Sequence, residues 1–367
     1  MWKSEKSEFM SASIVKLSIC RCPKCRGKLL VKPNALQCIL CAGEYRQIEN
    51  YYDFFLDDQS LPPKKYPYEL DHLHFSREKI LALQSPRPNR FLNFIFKRHG
   101  FNTWWTNDLE NLKNTIKKYG TSEKSRVEFM VDNRSSVDFI NQKKVTEIKA
   151  KNILRHVSEL PHAGNKVLHI GCGGECNEAI PIEYKKTGFI NFGVDAVRAY
   201  VKEFSAYGEA HLANASALPY ADGIFDIVNF TDILEHLFDP LKGLQEAVRV
   251  LKKSGYLVLE TPNRSYLQRK NPISWLEYFL GQLYPGLLRP RIITAAWAGE
   301  VLFHTEFSKR ELLALFSHCG LHPLKFRTEI LKKTLPKSPR ARLKMAIVFC
   351  LEKIAPTNKW LVIARKL

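Results

Sequence analysis

Four cysteines near the N-terminus have the spacing of a metal site. Cys22 and Cys25 form one C-x-x-C pair, and Cys38 and Cys41 form a second pair after twelve intervening residues. Each pair can form a tight turn whose sulfurs point to one centre, and four thiolates complete the tetrahedral shell of Zn²⁺. Because four protein ligands leave no open coordination position, we predict a structural zinc ion. Cys20 is out of register with both pairs and is interpreted as an ordinary thiol.

A second group of candidate residues follows the apolar run from Val167 to Ile170, where the chain enters the turn G-C-G-G at positions 171–174. Glycines allow the backbone to approach a ligand closely. Asp195 lies 24 residues after Gly171, at the end of the next predicted strand, where an acid can accept hydrogen bonds from both hydroxyls of a ribose. A dinucleotide-binding fingerprint shares these features, but its third glycine position is Cys176 here. The residues alone predict a nucleotide-type site.

Alternating strands and helices must position these residues. From about Lys144, short apolar runs alternate with helix-compatible segments, which is typical of a doubly wound, mostly parallel α/β sheet. The last two strands are expected to form an antiparallel edge. The predicted strands are 167–170, 190–195, 210–213, 225–231, 256–260, 324–328 and 360–364. Between the cysteine pairs, 28–31 and 35–37 are expected to pair as a hairpin.

The length and composition predict more than one domain. The chain has 367 residues, of which 45% are hydrophobic and 25% charged, as in ordinary globular proteins. We expect a zinc-binding domain at 13–58, a linker and helical region at 59–143, and an α/β domain at 144–367 with an insert at 263–303. The insert is rich in aromatic residues and leucine. It is expected to form a lid or a pocket for an apolar or amphipathic substrate, and packing within the domain is the alternative.

The N-terminal motifs resemble a known small domain. The stretches C-P-K-C-R-G-K-L, L-Q-C-I-L-C-A-G-E-Y and I-E-N-Y-Y-D-F-F are similar to the zinc ribbon of methyltransferase-activating subunits. The same ribbon occurs at the N-terminus of many bacterial methyltransferases. Here N-Y-Y-D at 50–53 replaces the G-I-P-D-type segment that often follows the second cysteine pair in that family.

Three motifs in the second half of the chain resemble the class I S-adenosylmethionine-dependent methyltransferases. They are N-A-S-A-L-P-Y-A-D-G-I-F-D at 214–226, T-D-I-L-E-H at 231–236 and G-Y-L-V-L-E-T-P-N at 255–263. The resemblance covers residues 147–367 and is closest to the group that includes ubiquinone-biosynthesis O-methyltransferases. It implies a Rossmann-like methyltransferase fold with a seven-stranded sheet and S-adenosylmethionine as the cofactor.

Matching the motifs residue by residue implies a cofactor site. Asn214 takes the place of the acid that binds the adenine amino group, and Ala215 offers its backbone amide to the adenine ring. His169 stands where the family usually has an acid, and we hypothesise that the Glu175 carboxylate replaces it; the alternative is that Glu175 only favours a helix start. The full set of implied cofactor-binding residues is His169, Gly171, Cys172, Gly173, Glu175, Asp195, Ala196, Asn214, Ala215 and Thr231.

Methyl transfer from a sulfonium requires mainly positioning of the acceptor, and sometimes a base. The expected positions at or beyond the carboxyl ends of the strands make His304, His236 and Asp232 the candidate catalytic residues. His304 is expected to act as a base, and the alternative is that it only connects the insert to the domain. His236 is either catalytic or structural, and in the structural role it closes the loop after the fourth strand.

The net charge of +19 suggests attraction to polyanions. The stretch from Lys325 to Lys344 contains eight lysines and arginines against Glu329 alone, and we expect it to be a loop between the last two strands. It can bind RNA, an anionic membrane surface or a sugar nucleotide, or it is a solvated face. The sequence shows no signal peptide and no apolar run long enough to cross a bilayer, so a cytoplasmic protein is expected.

These features predict an enzyme that transfers a methyl group from S-adenosylmethionine to oxygen on a small or lipid-linked acceptor. An RNA methyltransferase that grips its substrate with the ribbon and the basic stretch is one alternative. A non-catalytic adaptor that binds the cofactor is another. The oligomeric state is not predicted.

Overall fold

The computed structural model describes residues 17–56, 139–161, 164–173, 179–263, 295–297, 300–302, 307–329 and 359–367. Several predicted features lie outside these ranges, namely Glu175, His304, residues 330–344, and most of 59–143 and 263–303. Within the described ranges, no helix combines the length and the apolar character needed to cross a membrane.

The N-terminal unit is a four-stranded antiparallel sheet. Its strands follow one another in space as they do along the chain: β1 (Leu29–Lys32), β2 (Ala35–Cys38), β3 (Glu44–Ile48) and β4 (Tyr51–Tyr52). Leu29 lies opposite Cys38, which confirms the predicted hairpin between the cysteine pairs. Asn34 in the tight turn between β1 and β2 has φ of 59°, a left-handed conformation that asparagine tolerates better than most residues.

The remaining strands are β5 (Lys166–Ile170), β6 (Ile190–Asp195), β7 (Glu209–Leu212), β8 (Phe225–Thr231), β9 (Leu251–Pro262), β10 (Ala295–Trp297), β11 (Glu300–Leu302), β12 (Leu321–Glu329) and β13 (Lys359–Lys366). Seven of them form one sheet in the order β12-β13-β9-β8-β5-β6-β7, and β10 and β11 form a separate hairpin. The strands from β9 to β7 are parallel, whereas β13 is antiparallel to both β9 and β12. The predicted doubly wound, mostly parallel seven-stranded sheet is confirmed.

Helices pack on both faces of this sheet: α1 (Phe139–Val157), α2 (Ala179–Lys186), α3 (Arg198–Phe204), α4 (Pro240–Val250) and α5 (Lys309–Cys319). The face toward α1 and α2 buries Ile227, and the face toward α4 and α5 buries its neighbour Val228. Alternate residues of a strand point to opposite faces, so both must be apolar in a sheet covered on two sides. A short 3₁₀ helix, Leu234–His236, follows β8.

Two segments differ from the sequence expectation. β9 begins at Leu251 instead of residue 256, because Phe225 of β8 pairs with Leu251 before a local irregularity. The basic stretch from Lys325 was expected to be a loop between the last two strands, but its first residues lie in β12, which includes the predicted strand 324–328 and continues to Glu329, opposite Lys359 of β13. The ammonium of Lys325 also bonds to the carboxylate of Glu159, so the start of the stretch belongs to the sheet.

The N-terminal unit caps the β7 edge of the large sheet. The Phe54 N–H donates to the carbonyl of Leu212 at 2.8 Å, which continues the edge strand with one more backbone pair. The Arg21 N–H donates to Pro219 at 3.0 Å, and the fully buried Phe54 side chain joins the same core as the domain residue Tyr220. An exposed sheet edge is a template for unwanted pairing, and this unit covers part of it.

Candidate active site

A cavity lies at the carboxyl edge of the parallel strands, where the chain order of the strands reverses between β5 and β8. Crevices at such switch points are the usual ligand sites of open α/β sheets. The predicted residues Gly171, Asp195, Ala196 and Ala215 meet there. The full lining is Ile170, Gly171, Val194, Asp195, Ala196, Ala213, Ala215, Ile233 and Leu237.

The glycine turn closes tightly on its neighbours. Gly171 has φ of 70°, and a Cβ atom built on it would lie 2.0 Å from Cδ1 of Ile233. A Cβ on Gly173 would lie 2.0 Å from Cβ of Tyr200. Side chains at these two positions would therefore displace the loop after β8 and the helix after β6. The absence of a side chain at Gly171 leaves that space to the cavity, which Gly171 lines.

The backbone amides of this turn were expected to face a ligand, and the structure shows a different arrangement. The N–H groups of Gly171 and Cys172 both donate to the carbonyl of Val194, at 2.9 and 3.1 Å. The Gly173 N–H donates to the Asp195 carboxylate at 3.2 Å. These bonds bind the turn to β6, so its contribution to the cavity is the absence of side chains.

Asp195 is held at the cavity by two backbone donors. One carboxylate oxygen accepts from the Val197 N–H at 2.9 Å, and the other accepts from the Gly173 N–H. A carboxylate has about four acceptor sites, so these bonds orient Asp195 without exhausting its capacity to bind hydroxyl groups. This geometry suits the predicted ribose contact.

His169 does not reach the cavity, although it was predicted to bind the cofactor. It is 2% exposed, its Nε2 lies 3.0 Å from Oδ1 of Asn191, and its ring meets Tyr184 edge-on at 5.2 Å. Burial lowers the pKa of His169 to about 4, so the ring is neutral near pH 7. Since neighbouring strand residues point to opposite faces, Ile170 faces the cavity and His169 packs in the core.

Three further predicted cofactor residues are also buried away from the cavity. The Cys172 side chain packs with Val201 and Phe204. Asn214 accepts from the Ser216 N–H at 2.8 Å and donates to the carbonyl of Leu56 at 3.3 Å, so its amide joins the loop after β7 to the N-terminal unit. Thr231, at the end of β8, accepts from the Asn229 amide at 3.3 Å.

Asp232 follows β8 and belongs to a partly buried charged cluster. Its two carboxylate oxygens contact the ammonium groups of Lys149 and Lys359, at 2.5 and 2.7 Å. Glu260 contacts the same two lysines at 3.4 and 3.0 Å. Burial opposes ionisation of Asp232, but the ammonium groups outweigh it and hold its pKa far below the usual range. A carboxylate so stabilised is a poor proton acceptor, which argues against the predicted base role of Asp232.

Glu235 has the opposite electrostatics. Burial and the nearby charge of Asp232 raise the pKa of Glu235 to about 8, and its carboxyl group accepts a hydrogen bond from the Thr261 hydroxyl at 3.1 Å. His236 follows it in the short 3₁₀ helix and is half-buried, between the cavity residues Ile233 and Leu237. Sequence reasoning missed Glu235, since nothing in the local pattern shows that it is buried beside a second acid.

Comparison with known proteins finds similarity to methyltransferases. Residues 168–259, which run from β5 to β9, match the family model described as a methyltransferase domain. A probable S-adenosylmethionine-dependent methyltransferase of Mycobacterium tuberculosis is 34% identical over 99 residues, which cover 27% of this chain and 36% of that protein. A ubiquinone biosynthesis O-methyltransferase of Psychrobacter cryohalolentis is 27% identical over 175 residues, which cover 43% of this chain and 65% of that protein.

Residues 168–259 are thus similar to a methyltransferase domain. A solved S-adenosylmethionine-dependent methyltransferase structure from Methanosarcina mazei is also similar, with 20% identity and a TM-score of 0.41 over 58% of this chain and 97% of that one. The matched segment contains the cavity-lining turn and Asp195. The chain spans 36% and 65% of the lengths of the two curated relatives.

Outside the methyltransferase domain, the four predicted metal ligands meet in one cluster. The sulfurs of Cys22, Cys25, Cys38 and Cys41 all lie within 4.8 Å of one another. Cys22 and Cys41 are 3.6 Å apart, and Cys25 and Cys38 are 3.4 Å apart. Thiolates on a tetrahedral zinc ion, with Zn–S bonds of about 2.3 Å, are separated by about 3.8 Å. The four cysteines therefore fit a zinc ion.

The two cysteine pairs have the same backbone turn. In each, the residue after the second cysteine is left-handed, with φ of 63° at Arg26 and 55° at Ala42. Its N–H donates to the carbonyl of the first cysteine, at 2.7 Å from Arg26 to Cys22 and 3.1 Å from Ala42 to Cys38. Burial opposes ionisation of Cys38, yet N–H groups of Cys41 and Leu40 lower its pKa to about 7, which favours the thiolate that a metal binds.

Proposed function

We propose that this protein transfers the methyl group of S-adenosylmethionine to an oxygen atom of a small or lipid-linked acceptor. The observation that carries the proposal is the cavity at the β5–β8 switch point, whose lining includes Asp195 and Gly171. The family match over 168–259 supports the cofactor. The O-methyltransferase relative supports oxygen as the acceptor atom.

The residues around the cavity suit this cofactor. The Asp195 carboxylate can accept hydrogen bonds from the ribose hydroxyls, as acids at the end of the second strand do in related sheets. Ile233, Leu237 and Ala215 supply apolar surface for a flat base, and Gly171 leaves the space that a Cβ would occupy. When bound, the cofactor supplies an electrophilic methyl group on a positively charged sulfur.

The protein's own contribution is positioning and the removal of one proton from the acceptor hydroxyl. Asp232 is ion-paired to Lys149 and Lys359, and Glu235 is protonated near neutral pH by its raised pKa. Of the described candidates, His236 suits the proton acceptor best, because a neutral imidazole can accept a proton and His236 lies in the sequence between the cavity-lining residues Ile233 and Leu237. The role of His304 stays a prediction.

We also propose that Cys22, Cys25, Cys38 and Cys41 hold a structural zinc ion. A unit of this size has a small core, so metal binding would supply much of its folding free energy. Because the unit covers the β7 edge and contacts Asn214 through Leu56, losing the ion is expected to loosen the loop beside the cavity. Metal analysis of the Cys25→Ser variant should show this zinc lost, while a retained ion would refute the assignment.

A methyl-donor assay tests the activity directly. The full chain is incubated with radiolabelled S-adenosylmethionine and with lipid, small-metabolite and RNA fractions, and label is expected in the lipid or metabolite fraction. Label in RNA alone would replace this proposal with the RNA alternative. Cofactor binding by calorimetry with no transfer to any fraction would favour the adaptor alternative.

His236→Gln examines the proton acceptor in the same assay, with the exposed His318→Gln as the matched control. The expected result for His236→Gln is a kcat reduced 100-fold or more at unchanged cofactor affinity, since general bases typically contribute about 10²–10⁴-fold. An unchanged kcat would show that His236 is structural.

A further inference from the structure

A second cluster of possible metal ligands lies where the N-terminal unit meets the large sheet. Cys20 comes from the segment before the first cysteine pair, and Glu209 and His211 come from β7. Glu209 and His211 are two residues apart on one strand, so their side chains share a face. One ligand atom from each of the three lies within 4.8 Å of the others. Cys20 is 1% exposed and His211 is 2% exposed.

The distances fit a tetrahedral ion. Cys20 Sγ lies 3.8 Å from His211 Nε2, and the same nitrogen lies 3.1 Å from Glu209 Oε1. Around a tetrahedral zinc ion, bonds of about 2.3 Å to sulfur and about 2.0–2.1 Å to nitrogen and oxygen place sulfur and nitrogen about 3.6 Å apart, and nitrogen and oxygen about 3.3 Å apart. Both observed distances agree with these values to about 0.2 Å.

An unsatisfied acceptor at this place points independently to a ligand. Glu209 Oε2 is buried and has no hydrogen-bond partner among the described residues. Its ion-pair partner in the described part of the chain is His211, which carries charge only if protonated. A buried carboxylate without a full counter-charge is costly, and a divalent cation would supply that charge.

From this geometry we propose that Cys20, Glu209 and His211 form a second zinc-type site that joins the ribbon to the methyltransferase domain. The donor set of thiolate, imidazole and carboxylate is one that Zn²⁺ accepts. The rings of Phe54 and Tyr220 stand 5.3 and 6.1 Å from His211 and enclose it. The enclosure favours a structural ion, and a water molecule would complete the tetrahedral shell, because the described residues supply three ligands.

Metal binding requires a change at the second ring nitrogen. The Tyr52 N–H points at His211 Nδ1 over 3.4 Å, a long contact. A metal on Nε2 leaves the proton on Nδ1, so this contact is given up on binding. Without a metal, Nε2 carries the proton and donates to Glu209, and the three residues form a hydrogen-bonded triad instead.

Metal stoichiometry of the full chain separates these two states. The protein is loaded with Zn²⁺, freed of excess ion and analysed by mass spectrometry for bound zinc, and two ions per chain are expected. Cys20→Ser, Glu209→Gln and His211→Gln should each lose one ion and retain the four-cysteine ion. Cys25→Ser should lose the other. Cys319→Ser, at a cysteine of α5 that belongs to neither cluster, is the control that should change nothing.

Cobalt substitution identifies which ion is missing. Co²⁺ bound to four thiolates absorbs strongly through sulfur-to-metal charge transfer, so this band must persist in Cys20→Ser if the ribbon is still folded. The proposal predicts that the variant loses one equivalent of Co²⁺ while keeping that band. The proposal is wrong if the folded wild type binds one equivalent of Co²⁺, and if this ion is lost in Cys25→Ser and retained in Cys20→Ser. Cys20, Glu209 and His211 would then form only the hydrogen-bonded triad.

Discussion

Two carboxylates at the carboxyl edge of the same sheet have opposite surroundings. Asp195 is the last residue of β6 and accepts from the neutral backbone N–H groups of Gly173 and Val197. Asp232 follows β8 and contacts the ammonium groups of Lys149 and Lys359. Neutral backbone N–H groups orient the Asp195 carboxylate at the cavity. The two ammonium groups neutralise the charge of Asp232, so this carboxylate stabilises the fold. The position at a strand end does not decide the role.

The largest loss of stability is expected from removing a cation from the charged cluster around Asp232. Lys149→Met removes one cation from a cluster in which Lys149 is 5% and Glu260 3% exposed at the side chain. Removing one partner of a buried pair leaves an uncompensated charge and costs about 3–5 kcal/mol. We therefore expect urea denaturation to show a loss of stability of that size, with cofactor affinity within about twofold of wild type because Asp195 is untouched.

Lys151→Met is the matched control, since Lys151 is exposed on the same helix α1. It should leave stability within about 0.5 kcal/mol of wild type. If Lys149→Met lowers cofactor affinity by a free energy similar to its loss of stability, then Asp232 and Asp195 do not have separate roles and the comparison fails.

The next largest loss of stability is expected from a substitution of Gly171, which lines the cavity together with Asp195. Gly171→Ala places a methyl group 2.0 Å from Ile233 at φ of 70°, and crowding plus the left-handed backbone should together cost about 2–4 kcal/mol. Gly223→Ala is matched in backbone, with φ of 67°, but a Cβ there meets nothing within 4 Å. It should cost about 1 kcal/mol. Equal losses of stability for both variants would show that the contact with Ile233 is unimportant.

Asp195 itself should act on affinity more than on stability. Asp195→Ala is expected to weaken S-adenosylmethionine binding about 100-fold by calorimetry, because each hydrogen bond to a charged group contributes about 1.5–3 kcal/mol and about 1.4 kcal/mol is tenfold. Asp222→Asn, a mostly exposed acid paired with Arg249, is the control and should bind normally. Wild-type affinity in Asp195→Ala would remove Asp195 from the cofactor site.

The features that were predictable from the sequence are those set by local spacing. The four cysteines meet because each C-x-x-C pair forms its own turn, and Asp195 reaches the cavity because it ends a strand next to the glycine turn. The mostly parallel, doubly wound sheet followed from the alternation of strands and helices. In each case the determining interactions lie within a short stretch of chain or follow from the topology of parallel sheets.

The features that were not predictable depend on contacts between distant segments. Lys149 and Lys359 come from α1 and β13, and they lie 83 and 127 residues from Asp232. His169 was assigned to the cofactor site because it stands where the family usually has an acid. Since β5 is buried on both faces, its composition does not reveal which of its residues face the cavity. Asn214 was matched to the adenine contact, but its partner Leu56 comes from the N-terminal unit.

The effect most specific to this edge is the pH dependence caused by Glu235. The pKa of Glu235 is raised from its ordinary 4.5 to about 8, first by burial and then by the charge of Asp232. Between these values the folded state holds a proton that the unfolded state has released, so the contribution of Glu235 to stability falls as pH rises through this window. Glu235→Gln stays neutral and can still accept from the Thr261 hydroxyl.

The variant should therefore gain stability relative to wild type as pH increases from about 5 to about 8, and the difference should level off above that range. Urea denaturation at a series of pH values measures it, with the exposed Glu203→Gln as the control that tracks wild type. For Asp232 we expect the opposite dependence of stability on pH. Its pKa is lowered in the folded state, so its contribution to the free energy of unfolding is lost only as pH falls below about 4. A constant difference between Glu235→Gln and wild type across pH 5–8 would mean that Glu235 is ionised in the folded protein, and the contrast between the acids of this edge would then rest on Asp195 and Asp232 alone.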